Sequence, residues 1–219
     1  LLGIDNNDKI ARIQVRRERG LRLAPKHIRD AHGKPTSRFV RGIHQDVGEI
    51  RDEETARVAV QAALTGHVVL ATLHTNDAPG AVARLIDMGI EPYMLSSALN
   101  GVVAQRLARR LCEHCKEPED IPREALLQEG FEEDELDDLT VFRAVGCDRC
   151  TKGYKGRIGI YQVLPISDDM GRIIMEGGNS IQLADQASKE GVRDLRQSGL
   201  LKVKAGITSL EEINRVTKD

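Results

Sequence analysis

The sequence predicts an α/β protein that carries a metal-binding insert and ends in helices. Three observations support this fold class. Residues 53–88 have the pattern helix, buried strand, helix, which is typical of α/β domains. Two Cys-x-x-Cys pairs follow, and the residues after Met170 have helical patterns almost throughout.

Residues 1–46 form an irregular, basic N-terminal segment. Ile10–Val15 alternates apolar and polar residues as a strand does, and residues 20–24 indicate a second short extended piece. Residues 25–38 have the prolines and polar composition of a loop. Residues 9–41 contain eleven lysines and arginines but two acids, so this run is either a solvated or mobile surface or a contact for phosphate or an acidic partner.

The next two elements are a helix and a strand. Glu53–Leu64 carries alanine and valine at helical spacing and stops before Gly66, a residue that tolerates the left-handed backbone at helix ends. The run that follows, HVVLATLHT, is short, apolar and β-branched. This composition predicts a strand that is buried on both faces.

Two further helices are predicted after this strand. Asn76 and Asp77 can cap a helix and Pro79 suits its first turn, so residues 79–88 are predicted to be helical. Residues 94–112, MLSSALNGVVAQRLARRLC, are predicted to form another helix with a basic end.

The remaining elements follow an acidic stretch. Residues 117–138 contain eleven acids and one base, which is typical of a solvated face. Residues 156–167 alternate like a strand. The final helices are predicted at residues 170–176, 181–190 and 192–204, followed by a last helix in which Thr208 and Glu211 form a capping box.

The four cysteines predict a structural zinc site. Cys112, Cys115, Cys147 and Cys150 form two Cys-x-x-Cys pairs separated by 31 residues, which can place four thiolates around one tetrahedral ion. With all four positions taken by sulfur, the Zn²⁺ would have no open position for catalysis. His114 lies inside the first pair and is left out of the ligand set. Disulfides or free buried cysteines account less well for two matched pairs.

Composition indicates a soluble, cytoplasmic protein. Apolar residues make up 40% and charged residues 30% of the chain. No apolar run approaches the ~20 residues that span a bilayer, and the chain starts without a signal-peptide pattern.

An acid and two histidines are the candidate catalytic residues. Glu49 follows an apolar step, and at the end of a strand it can hold Mg²⁺ or polarise an attacking water in phosphoryl transfer. His67 and His74 flank the next strand, and His74 leaves it at the carboxyl end, where open α/β sheets bind ligands. A surface glutamate and packing histidines are the alternatives. If the helix Glu53–Leu64 crosses between two parallel strands, Glu49 and His74 should lie together at one sheet edge.

These segments together resemble a known family. VGEIRDEETARVAVQAALTGHVVLATLHTNDAPGAVARLIDMGI, QRLARRLCEHCK and GCDRCTKGYKGRIGIYQVLPIS closely resemble the secretion ATPases that assemble type IV pili and drive type II secretion. The resemblance covers residues 47–219, the C-terminal part of the family, with residues 118–140 as its variable part. The cysteine pairs favour the assembly and secretion branch over the retraction branch.

The resemblance implies a domain organisation and site roles. It implies a truncated RecA-like P-loop ATPase core at residues 47–111, a tetracysteine zinc subdomain with the acidic insert at 112–160, and a C-terminal strand and helical bundle at 161–219. Glu49 matches the acid of the Walker B motif, His74 the histidine of the His box, and His67 the histidine of the preceding TGH.

The resemblance also implies partners and location. Family members form hexameric rings on the cytoplasmic face of the inner membrane and associate with the membrane through platform proteins of the secretion or pilus system. They bind ATP with Mg²⁺ and use its hydrolysis to move pilin-like subunits. Nucleic acid is not an expected partner.

One family feature is missing from the chain. A phosphate-binding loop has the pattern G-x-x-x-x-G-K-[ST], but Gly33-Lys34, the sole Gly-Lys pair, is followed by Pro35. The strand before Glu49 is also shorter than in the family. The sequence therefore predicts a C-terminal motor module that is incomplete or inactive alone.

Two alternative functions remain open. The first is a catalytically inactive adaptor with the same fold. The second is a zinc-ribbon nucleic-acid binder that uses the basic segment. Three tyrosines, three phenylalanines, no tryptophan and a net charge of −2 weigh against nucleic-acid binding.

Overall fold

The structure is a computed structural model that describes residues 10–15 and 44–218. The predictions for residues 20–24 and 25–38, and most of the basic run, lie outside the described residues. The described elements, in chain order, are β1 Ile10–Val15, β2 His44–Glu49, α1 Glu53–Leu64, β3 Val68–Leu73, α2 Ala78–Asp87, α3 Pro92–Ala98, β4 Leu99–Leu111, β5 Glu117–Glu119, α4 Arg123–Gln128, a 3-10 helix Glu133–Glu135, β6 Val141–Arg143, β7 Tyr154–Pro165, α5 Asp168–Met175, α6 Ser180–Lys189, α7 Leu195–Lys204 and α8 Leu210–Thr217.

The larger sheet has five strands in the order β2-β3-β1-β4-β7. β2 runs parallel to β3, while β1 is antiparallel to both of its neighbours, β3 and β4. The strands predicted at residues 10–15 and 156–167 are confirmed as β1 and β7. The predicted crossover is also confirmed, because α1 connects two parallel, adjacent strands.

A bulge ends β2 and determines where Glu49 lies. The pairing register with β3 shifts between Asp46 and Glu49, and Gly48 adopts a left-handed backbone with φ of +59°. Glycine accepts this conformation without the steric cost that a Cβ brings. The Thr72 hydroxyl donates to the Gly48 carbonyl at 2.8 Å, and the Ile50 N–H donates to the Thr72 carbonyl at 2.8 Å. One side-chain and one backbone hydrogen bond therefore hold the residues on either side of Glu49.

The two helices around β3 form as predicted. Asp52 caps α1 by accepting the Thr55 N–H at 2.8 Å, and Asp77 caps α2 by accepting the Gly80 N–H at 2.7 Å. α2 begins at Ala78 and ends one residue before the predicted end, at Asp87.

The expectation that β3 is buried on both faces is wrong. Val69, Ala71 and Leu73 are buried, but Leu70 is 45% exposed. Successive side chains of a strand point to opposite faces of the sheet. An apolar run therefore does not reveal whether both of its faces are covered.

The helix predicted at residues 94–112 is also wrong. The helical part, α3, ends at Ala98, and the next 13 residues form strand β4. Alanine, leucine, glutamine and arginine favour helices locally, but pairing with β1 and β7 overrides that preference. Within β4, a Cβ added at Gly101 would lie 3.1 Å from the Leu164 carbonyl oxygen, so glycine permits a close backbone approach there.

The described residues divide into two compact units. The first contains residues 10–15, 44–105 and 162–192. In it, α1 packs against α3, α3 against α5, and α6 against both α2 and α5. Its core includes Val69, Leu73, Leu85, Leu95 and Ile174.

The second unit contains residues 106–161 and 193–218. β5 and β6 form an antiparallel ladder, and α7 and α8 pack on each other and on β6. The acidic stretch is largely exposed, as predicted, although two of its acids form ion pairs with the C-terminal helices. Glu129 pairs with Arg196 and Lys218, and Glu135 pairs with Lys204.

The C-terminal helices differ from prediction at their starts. α7 begins at Leu195 rather than 192, because Asp194 and Gln197 form a capping box. The capping box predicted from Thr208 is wrong. Ser209 caps α8, while the Thr208 hydroxyl donates to the Arg109 carbonyl at 2.8 Å. In the described part of the chain, no helix combines the length and apolar character needed to cross a bilayer.

Candidate active site and metal site

Glu49 and His74 meet at the carboxyl ends of β2 and β3. Glu49 is the last residue of β2, and His74 directly follows β3. His74 Nε2 lies 2.6 Å from Glu49 Oε1. The predicted juxtaposition of these two side chains is therefore confirmed, although 25 residues separate them in sequence.

Arg51 is a second neighbour of Glu49, and it is cationic. Its guanidinium lies 2.6 Å from Glu49 Oε2. The hydrogen bond from Arg51 lowers the pKa of Glu49, and the charge of His74 lowers it further, while partial burial opposes both effects. Glu49 is therefore an ionised carboxylate near neutral pH.

The pair lies in an open cleft of about 230 Å³ in the first unit. Two arginines, one histidine and one carboxylate supply its polar wall, and apolar side chains form the rest. A cleft with convergent charged groups at a sheet edge is where α/β proteins bind anionic ligands. Its lining residues are Glu49, Ile50, Arg51, Leu73, His74, Arg84 and Met88.

The structure does not bring His67 to this cleft. His67 precedes β3, and the six residues of that strand, roughly 20 Å of extended chain, separate it from His74. Its Nδ1 lies 3.2 Å from the Ala62 carbonyl oxygen and 3.1 Å from the Thr65 hydroxyl. These contacts close the turn between α1 and β3.

The four predicted metal ligands lie together in the second unit. The Sγ atoms of Cys112, Cys115, Cys147 and Cys150 are all within 4.8 Å of one another. The closest Sγ atoms are 3.7 to 3.9 Å from each other. A tetrahedral ion with Zn–S bonds of about 2.3 Å would place its sulfurs about 3.8 Å apart, so the donor set fits Zn²⁺. His114 is not in the cluster.

Backbone hydrogen bonds orient the two cysteine turns. The Gly146 N–H donates to Cys115 Sγ at 3.3 Å, and the Cys147 N–H donates to Cys150 Sγ at 3.2 Å. The Cys112 N–H donates to the Gly153 carbonyl at 2.8 Å, which joins the first turn to the second. The two N–H bonds to sulfur stabilise the thiolate, which is the form of cysteine that binds metals.

Sequence reasoning missed two arginines at the cleft and one buried acid in the second unit. Arg51 was detectable, because residues i and i+2 of extended chain face the same side and Arg51 is two residues after Glu49. Arg84 required the packing of α2 to place it at the cleft. The buried Glu212, which binds Arg109 across 103 residues of chain, left no local signal.

Comparisons with known proteins identify the family of this chain. The family described as Type II/IV secretion system protein matches residues 46–215. A type IV pilus assembly ATPase PilB from Pseudomonas aeruginosa is 57% identical over 173 residues, which is 79% of this chain and 31% of that protein. A type II secretion system ATPase E from Vibrio cholerae is 49% identical over 178 residues, covering 79% of this chain and 34% of that protein.

A solved structure shares the fold. The X-ray structure of the Legionella pneumophila ATPase DotB aligns with a TM-score of 0.54 at 18% identity, over 80% of this chain and 38% of that one. The chain thus spans about a third of the length of its curated relatives. Together, the family match, the two relatives and the shared α/β fold show that this chain belongs to the Type II/IV secretion system protein family.

Proposed function

We propose that this chain is the C-terminal module of a hexameric motor ATPase that powers type II secretion or type IV pilus assembly. The observation that carries the proposal is the contact of Glu49 with His74 at the ends of two adjacent parallel strands. The names of the relatives support the motor role.

In this proposal the two residues have different tasks. Glu49 orients and polarises the attacking water, for which it must be ionised, and its lowered pKa fits that task. His74 senses the terminal phosphate of ATP through a ring N–H and transmits the nucleotide state to α2, which begins four residues later. Mg²⁺, when bound with ATP, supplies charge neutralisation at the phosphates. A catalytic role for His67 is supported by the resemblance alone.

The remaining parts of the proposal concern architecture. Residues 47–111 belong to a RecA-like core, residues 112–160 to a subdomain in which the four cysteines hold a structural Zn²⁺, and residues 161–219 to a C-terminal strand and helical bundle. Copies of the whole protein form a ring at the cytoplasmic face of the inner membrane, bound to platform proteins. The sequence similarity to pilus and secretion ATPases supports each of these points.

A hybrid protein tests the proposal. Residues 47–219 would replace the corresponding part of the Pseudomonas PilB, to which they are 57% identical over 173 residues. We expect the hybrid to hydrolyse ATP and Glu49→Gln to lower kcat roughly 100-fold or more. Arg57→Gln is the matched surface control and should keep the rate. An active hybrid whose turnover is unaffected by Glu49→Gln would contradict the proposed role.

A catalytically inactive adaptor is the second candidate, because these 219 residues contain no G-x-x-x-x-G-K-[ST] pattern. The same hybrid separates the two. An adaptor would assemble into rings with the relative's subunits but show no ATP turnover, whereas a motor module would restore turnover.

A further inference from the structure

Both oxygens of the Glu49 carboxylate are engaged by cationic or potentially cationic side chains. Oε1 is shielded from solvent and lies 2.6 Å from His74 Nε2, and Oε2 lies 2.6 Å from the Arg51 guanidinium. Oε1 is buried, so Oε2 is the oxygen through which Glu49 can reach a water molecule, and Arg51 occupies it. The ion pair with Arg51 is therefore a resting pose that limits access to Oε2.

Arg51 is the partner that can leave most easily. Its side chain is 75% exposed, whereas that of His74, the other partner of Glu49, is 60% exposed. An exposed ion pair contributes at most about 1 kcal/mol to stability, so the pair does little to hold the fold. Arg51 also lines the cleft, and its guanidinium has further N–H groups that can bind a second anion.

The positive charge that lines the cleft exceeds what the Glu49 carboxylate alone can neutralise, so the cleft attracts anions. Arg51, His74 and Arg84 line it together with that single carboxylate. No ion pair to Arg84 occurs among the residues that the structure describes, and its side chain is exposed. Guanidinium groups bind phosphate oxygens through two parallel hydrogen bonds, a geometry that competes well with one carboxylate oxygen.

We propose that Arg51 is a positioning residue that holds Glu49 in its resting pose and exchanges Glu49 for a phosphate group that enters the cleft. The exchange is a swap of ion-pair partners, in which no covalent bond forms or breaks. It frees Oε2 of Glu49 only while phosphate is present. The use of the freed carboxylate in hydrolysis rests on the proposed function, but the exchange itself does not.

The exchange can be measured by NMR on the 219-residue chain. Inorganic phosphate is the probe, and sodium chloride at equal ionic strength controls for screening. We expect the Arg51 Nε–H signal and the Glu49 Cδ signal to move together and to saturate. Arg57 and Glu53, an exposed ion pair with a 2.8 Å contact, are the internal control and should not move.

Variants of Arg51 separate positioning from a structural role. In Arg51→Gln, the Glu49 Cδ signal should already lie near its phosphate-saturated position without phosphate, and the Kd for phosphate should rise roughly tenfold. Arg51→Lys should restore part of the affinity, because lysine keeps the charge but loses the paired geometry. Arg57→Gln should match the parent chain.

Three results would overturn the proposal. One is phosphate binding that leaves the Glu49 signal in place, and another is an Arg51→Gln chain whose Glu49 signal does not change. The third is no saturable binding at phosphate concentrations of roughly 100 mM, since a site weaker than that has no useful affinity. An inactive hybrid protein, by contrast, would contradict the proposed function but would not contradict an exchange observed by NMR.

Discussion

Glu212 shows how a single residue can join distant parts of the second unit. Its side chain is fully buried and accepts hydrogen bonds from the Arg109 backbone N–H and from the guanidiniums of Arg109 and Arg215, at 2.5 to 2.9 Å. The Arg109 guanidinium also lies 4.0 Å from the centroid of the Tyr154 ring. Strands β4 and β7 and helix α8 are thereby connected around one carboxylate.

This cluster predicts a pH-dependent stability. Burial opposes the charge of Glu212, but the hydrogen bonds from Arg215 and Arg109 prevail and lower its pKa to about 2. The pKa of Glu212 is lower in the folded chain than in the unfolded chain, where it is near 4.3, so the ionised carboxylate stabilises the fold above that pH. This stabilisation is lost as the pH falls through the pKa of the folded chain. We expect Glu212→Gln to lower the free energy of unfolding by about 3 kcal/mol at pH 7.

Urea denaturation of both proteins at pH 7 and pH 3 provides the measurement. The difference between parent and Glu212→Gln should shrink by roughly half at pH 3, because part of the parent's advantage has titrated away. A difference that is equal at both pH values would show that the variant acts by lost packing and not by lost charge.

At the scale of elements, the cysteine turns lie among the shortest elements of the second unit. β5 and β6 have three residues each, and α4 has six. Elements this short form few hydrogen bonds and bury little area. A metal ion that binds both turns would supply folding free energy that these elements lack.

We therefore predict one tightly bound Zn²⁺ per chain. Removing it with a strong chelator should increase hydrogen exchange in residues 111–160 first, while helices α1 and α2 of the first unit keep their protection. Elemental analysis of unchelated protein gives the stoichiometry. Cys147→Ser should lose the metal, and His114→Ala should retain it. Well under one equivalent in carefully purified protein would contradict this prediction.

At the scale of the whole molecule, the chain holds the proposed catalytic pair but not the phosphate-binding pattern. The acid and the histidine lie together, and the G-x-x-x-x-G-K-[ST] pattern is absent from the 219 residues. The curated relatives are about three times longer than the matched region. Under the proposed function, ATP hydrolysis requires a phosphate-binding loop that these 219 residues do not supply.

We predict that the 219-residue chain hydrolyses ATP negligibly by itself. The sequence lacks the glycine-rich loop and lysine that cradle the β- and γ-phosphates, and with them the positioning that dominates phosphoryl transfer. Steady-state phosphate release with Mg²⁺ and ATP checks this. Turnover above background that Glu49→Gln removes would reveal a phosphate site elsewhere in the chain.

The sequence alone determined the features that local chemistry specifies. Helices α1 and α2 were predicted because capping residues and apolar spacing act over a few residues. The metal ligands were predicted because two matched cysteine pairs at this spacing suit a single tetrahedral ion. The contact of Glu49 with His74 followed from the crossover rule for parallel strands, which depends on element order alone.

Tertiary structure alone decided the features that depend on distant partners. Residues 99–111 have helix-forming side chains, yet they form strand β4 because two strands far away in sequence pair with them. The exposure of Leu70, the approach of Arg84 to the cleft and the burial of Glu212 have the same origin. Each depends on which segments pack over a residue. That packing is a property of the folded chain, because apolar surface leaves water only when separate segments meet.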